Sequence, residues 1–410
     1  MKFIPNQLSV MVALSIGVVN IQAWANDTAA SDVFGVDSSL IGTPEQGEQL
    51  FFDCASVLGD GERLACYDSI AQGKVPSILQ EKRPLDLSKT VKSTIKGNPQ
   101  IILADNLDEP TSLSQDDSWQ KLSMSDTKAF DVVDSSKYTP LSLSYDLDKN
   151  SGGLWKVRPH NPMYILPVYV NAKPNREFAT PTQEVRTFTD NEIRNTELKF
   201  QISFKSKVAE DLFGSNADLW FGYTQQSHWQ VYNEDNSHPF RVHDYQPEIF
   251  LTQPVVADLP FNGKLRMLGV GAVHHSNGEN DPLSRSWNRA YVMAGAEWGN
   301  LTIMPRLWAR VAKDSDSGRP DDNPDISDFY GYGDVRFMYQ FKQGNHISGL
   351  ARYNPSTSKG ALQLDYVRPI GRGISGYVQL FHGYGQSIVD YNNESTAIGV
   401  GVMLNDWMGL

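Results

Sequence analysis

The chain has 410 residues, with 36 Lys and Arg against 48 Asp and Glu, a net charge of −12. That acidic balance excludes nucleic acid as a default partner, because phosphate recognition draws on clustered Lys and Arg. The length admits two domains, or one large barrel with an appendage.

The N-terminus reads MKFIPNQLSVMVALSIGVVNIQAWAND. Lys2 forms a short positive region, Leu8 to Ile21 an apolar one, and Ala23-Trp24-Ala25 a small-residue cleavage site. This pattern predicts a secretory signal over residues 1–25; a membrane anchor is the alternative, and the apolar run is short for one. No later run approaches the ~20 apolar residues of a membrane helix. The chain is thus expected to be exported and to lack transmembrane helices.

Residues 26–137 are polar and weakly periodic, and they read as an N-terminal extension. Its two cysteines, Cys54 and Cys66, are the only ones in the chain. In an oxidising compartment such a pair is most simply a disulfide, with two buried free thiols as the alternative. RLACYDSIAQ reads as a short helix, and LSQDDSWQKLSMSDTK as linker.

The texture changes after about residue 160. Segments of roughly ten residues alternate apolar and polar side chains, which is the period of half-buried strands. In LKFQISFK, Leu198, Phe200, Ile202 and Phe204 oppose Lys199, Gln201, Ser203 and Lys205. In LTIMPRLWARV, Leu301, Ile303, Leu307 and Val311 oppose Arg306 and Arg310. Twelve such strands are expected, near 162–170, 196–207, 217–230, 245–254, 265–276, 287–298, 300–312, 328–342, 346–354, 359–369, 373–386 and 394–405. Aromatic residues crowd their ends, and full charges occupy the polar face. Both features favour an all-β, twelve-stranded antiparallel transmembrane β-barrel over 138–410, with a polar lumen and a periplasmic N-terminal extension.

Parity then assigns faces. In LRMLGVGAVHHS, Leu268, Val270, Ala272, His274 and Ser276 share one face. In SWNRAYVMAGAEW, Asn288 shares its face with Ala290 and Val292, opposite Arg289 and Glu297. Charge facing lipid costs about 2–4 kcal/mol at the midplane, so the charges belong in the lumen and His274, Ser276 and Asn288 face outward. A hairpin symmetric about Asp281 puts Asn288 opposite His274, about 4.5–5.5 Å between side-chain roots. Ser276 lies about 7 Å further along the strand. Nucleophile, base and orienter can thus be filled by Ser276, His274 and Asn288, recognised by role; polar residues meeting the headgroups are the simpler alternative. His275 points into the lumen and reads as structural. Gln225 is a second outward polar group, an amide expected either to find a partner or to reach the headgroups.

The stretch HHSNGENDPLSRSWNR resembles the signature of the outer membrane phospholipase A family, and SHPFRVHDYQPEIF, DDNPDIS, GYGQSIVDYN and GVGVMLND extend the resemblance over roughly 150–410. The resemblance implies a twelve-stranded barrel. It also implies a calcium-dependent hydrolase acting on the sn-1 and sn-2 esters of glycerophospholipids and on lysophospholipids. By position it implies Ser276 as nucleophile, His274 as base, Asn288 as orienter, and the N–H groups of Ser276 and Gly278 as an oxyanion hole. Calcium would be held by the Ser284 hydroxyl, the Glu279 carbonyl and Ser237 of a second subunit, with Asp281 and Asp322 matching acidic positions of a second arrangement in the monomer. It further implies a dormant monomer and an active homodimer in which Gln225 crosses the interface. Three features depart from the pattern: Glu279 stands where Arg is usual, the chain ends NDWMGL with Trp407 in place of a terminal aromatic, and the N-terminal extension is long. With the N-terminus periplasmic, the loop after strand five is extracellular and the site meets the outer leaflet. The competing class is a non-enzymatic porin or adhesin, with Arg306 and Arg310 lining a pore.

Overall fold

The computed structural model describes residues 51, 54, 60–71, 84–96, 101–104, 138–148, 154–212, 215–311, 320–341, 344–371 and 373–405. The signal peptide, the linker at 113–128 and Trp407 lie outside the described residues. The chain divides at Leu79/Gln80 into two units. In the first, Cys54 and Cys66 are joined in a disulfide with their Cα atoms 5.7 Å apart, and Asp60–Ala71 is helical.

The second unit is a closed β-barrel. Its strands are β1 (Met163–Asn171), β2 (Thr196–Leu212), β3 (Ala217–Trp229) and β4 (Phe240–Leu259). Then follow β5 (Gly263–Ser276), β6 (Ser286–Trp298), β7 (Leu301–Val311) and β8 (Gly333–Gln340). The last four are β9 (His346–Asn354), β10 (Lys359–Gly371), β11 (Ile374–Tyr384) and β12 (Glu394–Asn405). Each pairs antiparallel with the next, and β12 returns to β1, with Ala397 opposite Asn171 and Val400 opposite Val168. Closure leaves no open edge along the spanning wall, which lipid requires because it offers no hydrogen bonds to unpaired backbone. Several boundaries differ from the sequence expectation: β2 runs on to Leu212 and β4 to Leu259, past the expected 207 and 254. β4 begins earlier, at Phe240, and β8 begins later because Ile326–Tyr330 forms a short helix.

The period-two pattern sorts side chains as lipid and lumen demand. Ile202, Ile249, Val270, Val292, Leu307 and Val400 stand exposed on the outer wall. Lys199, Lys205, Asp365 and Gln379 are buried in the lumen. Several lumenal charges are held by polar partners. Arg306 donates to Asp334 at 2.6 Å, and Lys199 Nζ to Gln379 at 2.7 Å. Tyr377 donates its hydroxyl to Asp365 at 2.7 Å.

Trp220, Phe250, Tyr291, Met304 and Trp308 fill much of the remaining lumenal space. A short helix, α1 (Pro140–Tyr145), inserts among them. Thr139 caps it by accepting from Ser142 N, and the Leu141 amide donates to Glu297 at 3.2 Å. Lys205 Nζ donates to Ser144 at 2.9 Å. The helix corks the end of the barrel where β2 finishes and β3 begins. Arg306 therefore lies within a packed interior, which counts against the porin reading.

Leu141 is fully buried against its neighbours. Leu141→Ala is expected to destabilise the barrel by about 2–5 kcal/mol, the usual cost of such a cavity, read as a lower urea midpoint for the folded, heat-modifiable band in bilayers.

Candidate active site

The β5–β6 hairpin carries the outward polar residues. Asn288 pairs with His274, and Ser286 with Ser276. The His274 imidazole Nδ1 lies 2.7 Å from Asn288 Oδ1. An amide oxygen only accepts, so Nδ1 carries the proton and Nε2 keeps its lone pair. Both residues are exposed on the outer wall, while His275 is buried on the lumenal side, 3.4 Å from Asp244 and accepting from Trp287 Nε1. Ser276 ends β5 on the same face as His274, with Tyr245 of β4 opposite.

Just below the His274–Asn288 pair the outer wall dips. Ala272 pairs with Ala290, and Ala290 with Ala309, a row of small side chains across β5, β6 and β7. Beneath them an apolar groove is lined by Leu251, Leu268, Val270, Val292, Pro305 and Leu307.

The loop above the pair is held by Asn277, a buried residue. Its Oδ1 accepts from Arg285 N at 2.9 Å and Glu279 N at 3.4 Å, and its Nδ2 donates to Leu283 O at 2.7 Å. Gly278 follows at φ +70°, and a Cβ there would stand 3.2 Å from the Tyr245 ring. Left-handed backbone and close approach both call for glycine. Arg285, buried beside this loop, donates to Pro282 O at 2.9 Å and Ser284 O at 2.7 Å. Burial pulls its guanidinium below the ordinary value, against the opposing pull of Tyr391 and Asp322.

Oxygen atoms gather on the far side of the loop. Ser284 Oγ donates to Asp322 Oδ2 at 2.9 Å. Gln183 Nε2 donates to Asp281 Oδ1 at 2.9 Å and meets Asp322 Oδ1 at 3.5 Å. Asn323, fully buried, accepts from Ser286 N at 2.9 Å and ties this loop to the start of β6. Among the described residues no group of three or more His, Cys, Asp and Glu is close enough to hold a metal. Hydroxyl, carbonyl and water oxygens, with only one or two carboxylates, are nonetheless a common calcium environment. Ser237 is exposed on the β3–β4 loop in a left-handed conformation.

Gln225 lies in an outward ladder. Tyr223 donates its hydroxyl to Gln225 Oε1 at 3.1 Å, and Gln225 Nε2 donates to Ser227 at 3.3 Å. Ser227 in turn lies 2.8 Å from His243 Nδ1. The sequence reading found Gln225 but not this chain of partners, and it assigned no role to Gln183, Asn277 or Asn323. Asn277 and Asn323 both fall inside the quoted motifs, which was the available signal; Gln183, from a distant loop, carried none.

A closed twelve-stranded barrel with an apolar outer band and a packed, charged lumen defines a β-barrel protein of the outer membrane. The phospholipase A1 family model matches residues 142–404, and the chain belongs to that family. A Neisseria meningitidis serogroup B protein assigned as a phospholipase A1 is 47% identical over 366 residues, 87% of this chain and 91% of that protein. This share is more than the barrel alone holds, so part of the N-terminal extension is common to both. The phospholipase A1 of Escherichia coli K12 is 41% identical over 219 residues, 52% of this chain and 71% of its own. The Salmonella typhi outer membrane phospholipase, solved as a dimer with bound calcium, superposes with a TM-score of 0.58 at 31% identity, covering 66% of this chain and 99% of that one. The protein is therefore an outer membrane phospholipase, a hydrolase.

Asn277→Ala removes three hydrogen bonds from a buried position, at about 1–3 kcal/mol for each group left unpaired. Faster amide exchange confined to residues 278–285, with the strands still protected, is the expected outcome by mass spectrometry.

Proposed function

We propose that Ser276, His274 and Asn288 form the catalytic triad of a calcium-dependent phospholipase that cleaves the sn-1 and sn-2 esters of glycerophospholipids and lysophospholipids. The observation that carries this reading is the 2.7 Å contact of His274 Nδ1 with Asn288 on the lipid-facing wall. It leaves Nε2 unprotonated on the face that Ser276 shares. Ser276 Oγ attacks the ester carbonyl carbon while His274 takes its proton. The imidazolium then protonates the departing alkoxide, and water releases the acyl group by the reverse sequence. Asn288 holds the ring and its tautomer. The N–H groups of Ser276 and Gly278 serve the developing oxyanion. The groove under the alanine row takes acyl chain while the ester stays at headgroup level.

Calcium fits the donor set at the loop. Ser284 Oγ and the Glu279 carbonyl would hold it, with Ser237 of the partner subunit; Asp281 and Asp322 would serve a second arrangement in the monomer. All are hard oxygen donors, as calcium prefers. When bound it supplies positive charge near the developing oxyanion. A dimer with calcium in the Salmonella typhi relative supports the same assembly here, with Gln225 crossing the interface between active protomers and the monomer dormant. Loop lengths support a periplasmic N-terminus. The turns at 260–262 and 299–300 are short, whereas the loops at 172–195 and 277–285 at the other end are long, the usual asymmetry of such barrels. The site then meets the outer leaflet, where phospholipid arrives only when membrane asymmetry fails. Residues 1–25 serve as the export signal, and 26–137 as a periplasmic extension.

Refolded protein is expected to release fatty acid from phosphatidylcholine with calcium and to lose that activity in chelator. Ser276→Ala should lower kcat by several orders of magnitude, and a sulfonyl fluoride should label the peptide bearing Ser276. Calcium-blind hydrolysis, or a label elsewhere, would overturn the assignment. Asn288→Ala is expected to retain more activity than His274→Ala, because it loosens the ring without removing the base. In detergent, Gln225→Ala should weaken calcium-induced dimerisation, measured by analytical ultracentrifugation.

A further inference from the structure

At the rim opposite the site, β4 outlasts its neighbour. The β3–β4 ladder ends at Asp218 opposite Thr252, yet β4 continues to Leu259. The freed edge is taken by the N-terminal extension. Leu85 and Asp86 pair in parallel with Val255 and Val256. Asp86 N donates to Ile102 O at 2.8 Å and Ala104 N to Pro84 O at 2.9 Å, which adds an isolated antiparallel bridge from Leu85 to Leu103.

Asp86 also starts a helix, α2 in the barrel unit, over Leu87–Ile95, accepting from Lys89 N at 2.8 Å. Thr90 fixes its rotation: Ile102 N donates to Thr90 Oγ1 at 3.0 Å. At 100° per residue, Leu87, Val91 and Ile95 fall within one arc, Lys89 and Lys96 fall opposite, and Lys92 lies on its flank, where an interfacial lysine reaches the headgroups. Val91 is 46% exposed and Ile95 80% exposed, with Ile101 and Leu103 exposed beside them. Phe261, at the tip of the adjoining β4–β5 turn, is 96% exposed, and Trp155 and Ile370 stand exposed at the same end. The lumen here is already closed by α1. The apolar face of α2 is thus left exposed, at the same end of the barrel as these apolar side chains.

We propose that residues 84–96, with 101–104 paired beside them, form an interfacial anchor. It inserts Val91, Ile95 and Ile101 into the leaflet at the rim opposite the site, and its lysines engage the headgroups of anionic glycerophospholipids. A basic amphipathic helix lying in the plane of the interface is the form such binding takes. Anionic headgroups match the cationic side, and the parallel strand pairing holds the helix at the depth of the barrel's own apolar ring. Lys89 divides its charge with Asp86, 3.4 Å away, which leaves Lys92 and Lys96 as the main contacts.

Among the described residues there is no free cysteine, so an introduced one can be labelled alone. Full-length protein with Ser276→Ala, to keep the lipid intact, would carry a nitroxide at Ile95→Cys or Lys92→Cys in nanodiscs of phosphatidylethanolamine with or without phosphatidylglycerol. The label at 95 should collide with oxygen far more than with a water-soluble nickel chelate, and the label at 92 should do the reverse. Phosphatidylglycerol should deepen position 95, and Lys92→Glu with Lys96→Glu should return it severalfold toward the aqueous ratio while the heat-modifiable folded band persists. A label at 95 that is aqueous in both bilayers overturns the proposal. So does one shielded from both reagents, which would place protein, from the first unit or a second copy, over the helix. Insertion indifferent to phosphatidylglycerol and to charge reversal overturns the anionic recognition.

Discussion

Closure of the backbone ladder in lipid is the constraint from which the rest follows. With no water to satisfy N–H and C=O groups, the strands must pair around a full circle. Once paired, period two leaves no choice of face: each residue is lipid-facing or lumenal according to its parity. His274 and Asn288 meet because β5 and β6 are locked in one register, with Ala272 against Ala290 and Val270 against Val292 below them. A slip by one residue would carry His274 inside and bring Arg289 to the lipid, at about 2–4 kcal/mol near the midplane. The apolar wall thereby protects the polar pair.

The two faces solve the polar problem differently. In the lumen, charges answer charges: Glu248 meets His160 at 2.5 Å and accepts from Tyr291 at 2.6 Å, and Arg241 spans Glu197 and Asp390. On the outer wall, polar groups of β3–β4 and β5–β6 are chained to one another, as in Tyr223–Gln225–Ser227–His243 and in His274–Asn288. Dense lumenal packing makes the wall stiff, and a stiff wall keeps side chains on adjacent strands in fixed relation. The corking helix contributes, since a Cβ at Gly295 would stand only 2.6 Å from Leu141. That absence of a side chain on β6 is what lets α1 lie against the strand that carries Asn288.

Strand number, facing and the His274–Asn288 register were legible because each rests on local alternation and a short hairpin. Fold features set by distant parts of the chain were not. Nothing in PLSLSY marks it as a lumenal cork, because its partners Glu297 and Lys205 come from β6 and β2. Residues 328–330, the end of the Ile326–Tyr330 helix, fall inside the strand expected at 328–342, since Phe329 and Tyr330 suit strands and only the loop before β8 decides otherwise. The oxygen cluster was half legible. Ser284, Asp281 and Asp322 came from the family resemblance, but Gln183, which bridges the two carboxylates, lies about a hundred residues before them and carries no motif.

The choice of Asn rather than a carboxylate behind the histidine follows from where the pair sits. In a buried aqueous cleft, an aspartate in that place stabilises the imidazolium that forms as the nucleophile loses its proton. On a lipid-facing wall the same carboxylate would be an anion held beside hydrocarbon throughout the resting state. Asn288 keeps the ring in its useful tautomer through one neutral hydrogen bond and leaves the resting wall uncharged. In the proposed mechanism the cost is weaker support for the imidazolium, so positive charge developing on His274 would be met from elsewhere. The alkoxide and the tetrahedral oxyanion of the substrate would supply that opposite charge transiently, and a cation held at the oxygen-rich loop around Ser284 would balance the oxyanion in turn. The proposed triad, set at the edge of a bilayer, would thus keep its charges out of the ground state, with compensating charge on the loop above the barrel rim.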